Sequence, residues 1–385
     1  MKRIAALALA VAAVAVALGS ANASSTRNPR HGEHSRHHSR SQHAVFVQTN
    51  ELTGNRIAVF DQEPDGTLVS AGSYATGGNG GAAAPGNESD RLASQGSLVY
   101  DARHALLIAV NAGSDTVSTF KVRGDRLTLT GVVASGGAFP ASIAVSGRLV
   151  YVLNAGLDGV VQGFQIRGHR LRPLAGSSRS LGLSNTNPPD FLTSPGQVGF
   201  TPNGRKLIVT TKASGSNIVV FRVRPDGRLS TSPVVNPAAT PVPFAFTFDP
   251  AGRLVDGEAA TSSVTTYTIN RDGTLADPQS LSNGQMALCW IVRARGFYYV
   301  ANTASDNLSG YTISSSGQPA LIGTDGIVAT TEPGPIDLVA SGRFLYGQTG
   351  VGGTVDEYRI NADGTLDKIG VITSLPVGQE GIAAS

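Results

Sequence analysis

The chain has 385 residues, 41% of them hydrophobic and 15% charged, with a formal net charge of +3. The basic excess sits in the first 43 residues, which hold six Lys and Arg against one acid; the remainder has 24 bases against 26 acids, an acidic balance that argues against nucleic acid as its partner. A single cysteine, Cys289, excludes an intramolecular disulfide, so stability has to come from a buried core, for which about 340 residues suffice.

Residues 1–23 join a charged start (Lys2, Arg3), an apolar stretch Ile4–Leu18 and the small-x-small sequence Ala21-Asn22-Ala23. They read as a signal peptide cut before Ser24, and the mature chain is expected outside the cell or associated with its envelope. The apolar stretch is short for a membrane span and no other segment approaches one. Residues 24–43 are polar, with four Arg and five His, and are expected to form a disordered spacer, since nothing in them imposes metal-ligand geometry.

From Ala44 to Ser385 the chain repeats one unit, clearest at Ala141–Leu174. Short apolar runs at Ser142–Val145, Leu149–Asn154, Val160–Ile166 and near Leu171–Leu174 alternate with turn residues, the pattern of a four-stranded antiparallel meander. In the third run an aromatic recurs at Phe60, Phe120, Phe164, Phe221, Tyr267, Tyr311 and Tyr358, each followed by a glycine turn and a leucine. A sheet of this size cannot bury its own faces and needs copies stacked against it. Seven copies near fifty residues apart predict an all-β fold, a seven-bladed β-propeller of four-stranded blades. Blade one lacks its first strand, and Glu380–Ala383 matches the missing strand, so the C-terminus is expected to close the ring.

Chain order then sorts the loops. Turns between strands one and two (Thr201–Gly204, Asp249–Gly252) and between strands three and four (Pro225–Gly227, Arg271–Gly273, Ala362–Gly364) share one face and are short and generic. The opposite, variable face receives two long inserts, Thr76–Ser94 and Ser177–Pro195, and is the expected functional surface. Within the first insert, Gly77–Gly81 reads as a flexible loop rather than a phosphate cradle, because no helix follows it.

Four stretches together, Asn111–Phe120, TPNGRKL at Thr201–Leu207, FDPAGRL at Phe248–Leu254 and GQEGIAA at Gly378–Ala384, resemble the seven-bladed propeller lactonases. This 6-phosphogluconolactonase-like group also includes carboxymuconate-cyclising enzymes. The resemblance covers Ala44–Ser385 and implies hydrolysis of a sugar lactone at the central opening, by His and Arg at the mouths of inner strands. Here those mouths read Pro195-Gly196-Gln197-Val198 and Pro243-Phe244-Ala245-Phe246, without either residue. His104 and His169 both fall in turns of the generic face.

Aligned strand ends put Glu258, Lys212, Asp337 and Glu380 on or near the variable face, with Asn50, Asn111, Asn154, Asn302, Gln95, Gln197 and Trp290. If the chain is an enzyme, Glu258 or Asp337 is the expected base and Lys212 the oxyanion stabiliser. Asn111, Asn154, Gln197, Trp290, Asn302 and Glu380 are the candidate ligand contacts. Repeated asparagines also serve as turn caps, and a lone tryptophan or the lone Cys289 is also ordinary core. A ring of Asn, Asp and Glu could hold Ca²⁺, though nothing in the sequence indicates one; no cofactor is expected, and the chain is expected to act as a monomer. The second expectation is a non-catalytic propeller that binds a carbohydrate, peptide or envelope component through the variable face.

Overall fold

The computed structural model describes residues 43–84 and 89–385. The expectations for the leader and for residues 24–42 lie outside the described residues. Runs of three to nine residues, broken by Gly, Asp and Asn turns, form the blade strands of seven antiparallel sheets, and no helix among the described residues is long and apolar enough to cross a membrane. Blade three has the strands Pro140–Ser146, Leu149–Asn154, Val160–Arg167 and Arg170–Pro173, as the sequence predicts. A short extra strand, Arg179–Ser180, adds to its third strand.

The first strands touch one another in ring order, and Pro335–Ser341 of blade seven closes onto Ile382–Ala384, which in turn touches Leu98–Asp101 of blade two. Closure is covalently asymmetric. Ile382–Ala384 pairs antiparallel with Ala44–Gln48, so the last residues supply the inner strand of the first blade. That strand begins two residues later than expected: Glu380 and Gly381 lie before it, bonded to Gln48 and Gln348.

The repeated aromatics are the packing units between blades. Phe120 lies among Ala44, Phe46 and Val59 of blade one, Phe164 among Leu106 and Ile108 of blade two, and Phe221 among Tyr151 and Leu153 of blade three. All three are fully buried, each worth about 2–3 kcal/mol of hydrophobic transfer. A second tie, unforeseen from the sequence, explains the glycine turns. Tyr151, Tyr299 and Tyr346, on second strands, donate their hydroxyls to the carbonyls of Gly227, Gly364 and Gly66 in the next blade. At Gly66 (φ +96) a Cβ would stand 2.2 Å from the Phe344 ring, so only glycine lets the two blades close.

Gly77–Gly81 is not the flexible loop the sequence suggests. Gly80 donates its N–H to Glu51 O at 2.8 Å, and a Cβ there would lie 2.2 Å from the Asn50 carbonyl. The glycines permit close backbone approach between blades one and two.

Candidate functional site

Among the described residues, one segment spans the variable end of the ring. Residues 92–96, which lead from the first long insert into the inner strand of blade two, cross the axis and bond to the blades around it. Glu380 accepts the Leu92 amide at 2.6 Å, Ser94 Oγ donates to Ala141 O at 2.8 Å, and Gln95 N donates to Gly196 O at 3.0 Å. From blade six, Trp290 Nε1 donates to Ser94 O at 3.2 Å and Ile291 N to Gln95 Oε1 at 2.9 Å. The expected central opening is therefore filled at this end by backbone whose polar groups are satisfied by the blades.

Lys212 is anchored to this plug. It sits in the loop between the second and third strands of blade four with φ +48, a left-handed turn that aims its side chain inward, and it is 1% exposed. Its ammonium donates to Ala93 O (2.7 Å), Phe191 O (2.7 Å) and Ser194 Oγ (2.9 Å) and lies 4.9 Å from the centroid of Phe244 and 5.3 Å from that of Phe191. Both long inserts thus reach it, and they pair with each other: Ala84 N donates to Pro189 O and Phe191 N to Ala84 O.

Two buried acids, Asp90 and Glu380, accompany the lysine, and a third, Asp337, stands near Asp90. Asp90 and Glu380 are neighbouring buried carboxyls, a pairing that favours a proton on one of them. Asp90 Oδ1 accepts the Ala93 amide at 2.8 Å. Burial pushes Asp90 up to about 6, offset in part by the Lys212 charge; burial and the Asp90 charge raise Glu380 further. Asp337, on the inner strand of blade seven, is pushed by burial up to about 7, against backbone hydrogen bonds that pull it down. Burial brings Lys212 down to about 8, opposed by Asp90 and its neighbours, so it stays protonated at neutral pH.

The structure thus gathers three of the expected residues, Lys212, Asp337 and Glu380, around Asp90. Glu258 stands elsewhere. It ends the second strand of blade five and accepts hydrogen bonds from the Thr240 and Thr265 hydroxyls and, at 2.5 Å, from Tyr267 OH. Burial raises its pKa and that of Asp256 two residues before it, and the network ties blade five to the connection from blade four. None of its hydrogen-bond partners belongs to the axial cluster.

The candidate ligand contacts are engaged internally. Asn111 Nδ2 donates to the Thr116 and Ser118 hydroxyls, Asn154 Nδ2 to Val160 O, and Asn302 Nδ2 to Asn307 Oδ1 and Ser309 Oγ. All three cap the loop between second and third strands. Gln197 bonds both backbone groups of Phe246, locking two inner strands together. Trp290 is fully buried with its ring 5.0 Å from Phe244, and Cys289 is buried with its thiol pKa raised by burial. His104 and His169 lie in the generic-face turns, His104 bonded to Asp101.

Sequence reasoning missed Asp90, Phe191, Ser194 and Arg91. The insert that carries Asp90 was visible as an irregularity of spacing, but no periodic partner position marked the residue. Arg91 also puts a guanidinium at this end, packed across the backbone of Gly378, where aligned strand mouths alone show none.

The titrations predict a pH dependence. Asp90 and Asp337 bind protons more tightly folded than unfolded, so their contribution is complete below the ordinary carboxylate range near pH ~4 and is lost as pH rises through about 6 and about 7. Glu357, raised to about 7 by burial, acts in the same direction. Lys212 has the opposite sign at higher pH, its contribution present above its ordinary value and lost as pH falls through about 8. Thermal melts should therefore show higher stability at pH 5 than at pH 8, and Asp337→Asn should flatten the decline. A rise in melting temperature from pH 5 to 8 would contradict these assignments.

Fold and site together define a closed seven-bladed propeller with an ionisable cluster at its axial end. The chain belongs to the seven-bladed β-propeller lactonase family, whose pattern matches residues 10–292. No curated protein matches it significantly. Among solved structures it is similar to a putative 6-phosphogluconolactonase from Bacteroides uniformis, with TM-score 0.70 and 19% identity over 89% of this chain and 99% of that one. It is also similar to the periplasmic gluconolactonase PpgL of Pseudomonas aeruginosa, with TM-score 0.65 and 16% identity over 89% and 98%. A Lactobacillus plantarum protein matches with TM-score 0.68 and 16% identity over 89% and 99%. At these identities the likeness is one of fold.

Proposed function

We propose that this chain hydrolyses an unphosphorylated, sugar-type lactone at the axial cluster, with Asp337 as general base and Lys212 as the oxyanion partner. The observation that carries the reading is the gathering around Asp90 of a buried, cationic lysine and two further carboxyls, all three carboxyls raised by burial, where both long inserts meet. Asp337, near 7, suits proton abstraction at neutral pH. It takes a proton from water as the water oxygen attacks the lactone carbonyl, and the developing oxyanion faces the Lys212 ammonium. Collapse breaks the ring C–O bond, and the proton passes to the leaving alkoxide, giving the open hydroxy acid. Entry requires residues 92–96 to withdraw, which also frees the ammonium from Ala93 O.

An unphosphorylated substrate fits better than a phosphorylated one. Arg91 is packed on Gly378 rather than held out as a bidentate phosphate clamp, and the export expected from the leader separates the protein from cytoplasmic sugar phosphates. A second reading, a non-catalytic propeller that binds a carbohydrate, peptide or envelope component, is favoured by one observation: protein acceptors already occupy the Lys212 ammonium. Gluconolactone and 6-phosphogluconolactone assayed side by side, with spontaneous hydrolysis subtracted, separate the readings. The expected result is turnover of gluconolactone with the phosphorylated lactone poor. Efficient turnover of the phosphorylated lactone would overturn the substrate choice, and turnover of neither would favour the binding module.

A further inference from the structure

Charge is distributed unevenly around the ring. Residues 98–237, which build blades two to four, carry fifteen Lys and Arg against six Asp and Glu, while the rest of the chain from residue 43 carries nine against twenty. Most of these bases stand in turns between strands one and two or three and four, all on the face opposite the axial plug. Arg123, Arg126, Arg148, Arg167, Arg205 and Arg224 are all exposed there. Of these six, only Arg224 has a carboxylate within 4 Å, Asp226 at 3.8 Å, among the described residues. Asp125 and Asp226 share these turns, whereas the third-to-fourth-strand turns of blades seven and one carry Asp363 and Asp65 with no base beside them.

The same sector holds two neighbouring clefts. One, of about 310 Å³, lies between blades three and four and is lined by Ser146, Arg148, Gln165 and Arg224. The other, of about 360 Å³, lies between blades four and five and is lined by Thr201, Asn203, Lys206 and Asp249. The turn Thr201–Lys206 separates them, with Gly204 lining the first. Each is at the lower end of the size range of small-molecule sites and mixes cations with hydroxyl and amide groups and one carboxylate, Asp226 in the first and Asp249 in the second.

We infer that this face of blades two to four binds an acidic polysaccharide, with the exposed guanidiniums pairing its carboxylates and successive sugars occupying the two clefts. Guanidinium suits planar, bidentate carboxylate capture better than ammonium, and here arginine predominates. Hydroxyl and amide groups in the clefts match a polyhydroxylated chain. None of the exposed large hydrophobic side chains lies in these turns, so there is nothing to insert into a lipid surface. No exposed aromatic stands there to stack a base, as single-stranded nucleic acid recognition requires. The site is on the opposite face from the axial cluster and does not depend on lactone chemistry.

Binding of the full chain to polygalacturonate is the test, measured at low and at high salt beside duplex DNA and phosphatidylglycerol vesicles. The expected result is binding to polygalacturonate that weakens steeply with salt, because binding releases condensed counterions. The triple variant Arg148→Gln, Arg205→Gln, Arg224→Gln should bind about tenfold more weakly, each lost contact contributing modestly at an exposed site. The double variant Arg271→Gln, Arg295→Gln, which removes exposed bases from blades five and six, should bind as the parent does. No binding to polygalacturonate, equal loss in both variants, an unaffected triple variant, or preference for DNA or vesicles would each overturn the inference.

Discussion

Removing Gly381–Ser385 is expected to destabilise the propeller by more than about 5 kcal/mol, because the five residues include the inner strand of blade one, Ile382–Ala384, which closes the ring. The deletion takes away the pairing of Ile382–Ala384 with Val45–Val47, and the burial of Ile382 and Ala383. It also removes the bonds from Gln48 N to Gly381 O (2.8 Å), from Gly381 N to Gln348 Oε1 (2.9 Å) and from Ser385 N to Ala44 O (2.9 Å). Each bond lost in the buried region leaves a polar group that costs about 1–3 kcal/mol. The exposed edges of Ala44–Gln48 and its neighbours would invite intermolecular pairing. Urea unfolding and thermal melts check this; an unchanged midpoint would mean that blade one holds without its borrowed strand.

Lys212→Met is expected to cost about 3–5 kcal/mol, the usual range for stripping the partner from buried polar and charged groups. The substitution keeps volume but removes all three donors and the positive charge beside Asp90 and Glu380, stranding the carbonyls of Ala93 and Phe191. Since Ala93 belongs to the plug, amide exchange at Leu92 and Ser94 should speed up along with the loss of global stability. Near-parent stability with unchanged exchange at these amides would show that the plug is held without the lysine.

Repeat periodicity made the architecture readable. The positions of Phe120, Phe164 and Phe221 repeat because each blade presents the same face to the one before it, so local spacing reports a global arrangement. C-terminal closure was legible for the same reason: a repeat with a missing strand requires its donor. Ties such as Tyr346 to Gly66 were not, because they occur in only some blades and join residues 65 to 280 positions apart.

The axial cluster was legible only in part. Lys212 occupies a position that the pattern fills with other residues, and alignment of strand ends brought Lys212, Asp337 and Glu380 to the right end of the ring. Glu258 broke the pattern too, yet its carboxyl serves three local hydroxyls, a use that strand position alone cannot distinguish from a place at the axis. Asp90 lies in an insert with no counterpart in other blades, so nothing periodic placed it. The plug itself follows from the path of residues 92–96 across seven converging sheets, a tertiary property with no local signature.

The most direct test of the axial chemistry is the pH profile of gluconolactone hydrolysis by Asp337→Asn beside the parent. Asparagine keeps the shape of the side chain and removes the titrating carboxyl, so the fold, checked by its melting temperature at pH 5, should persist. With Asp337 as the base, the parent rate should rise through about pH 7, and the variant should lose at least about tenfold with that rise abolished. A variant that turns over at the parent rate with the same pH profile would contradict the assignment.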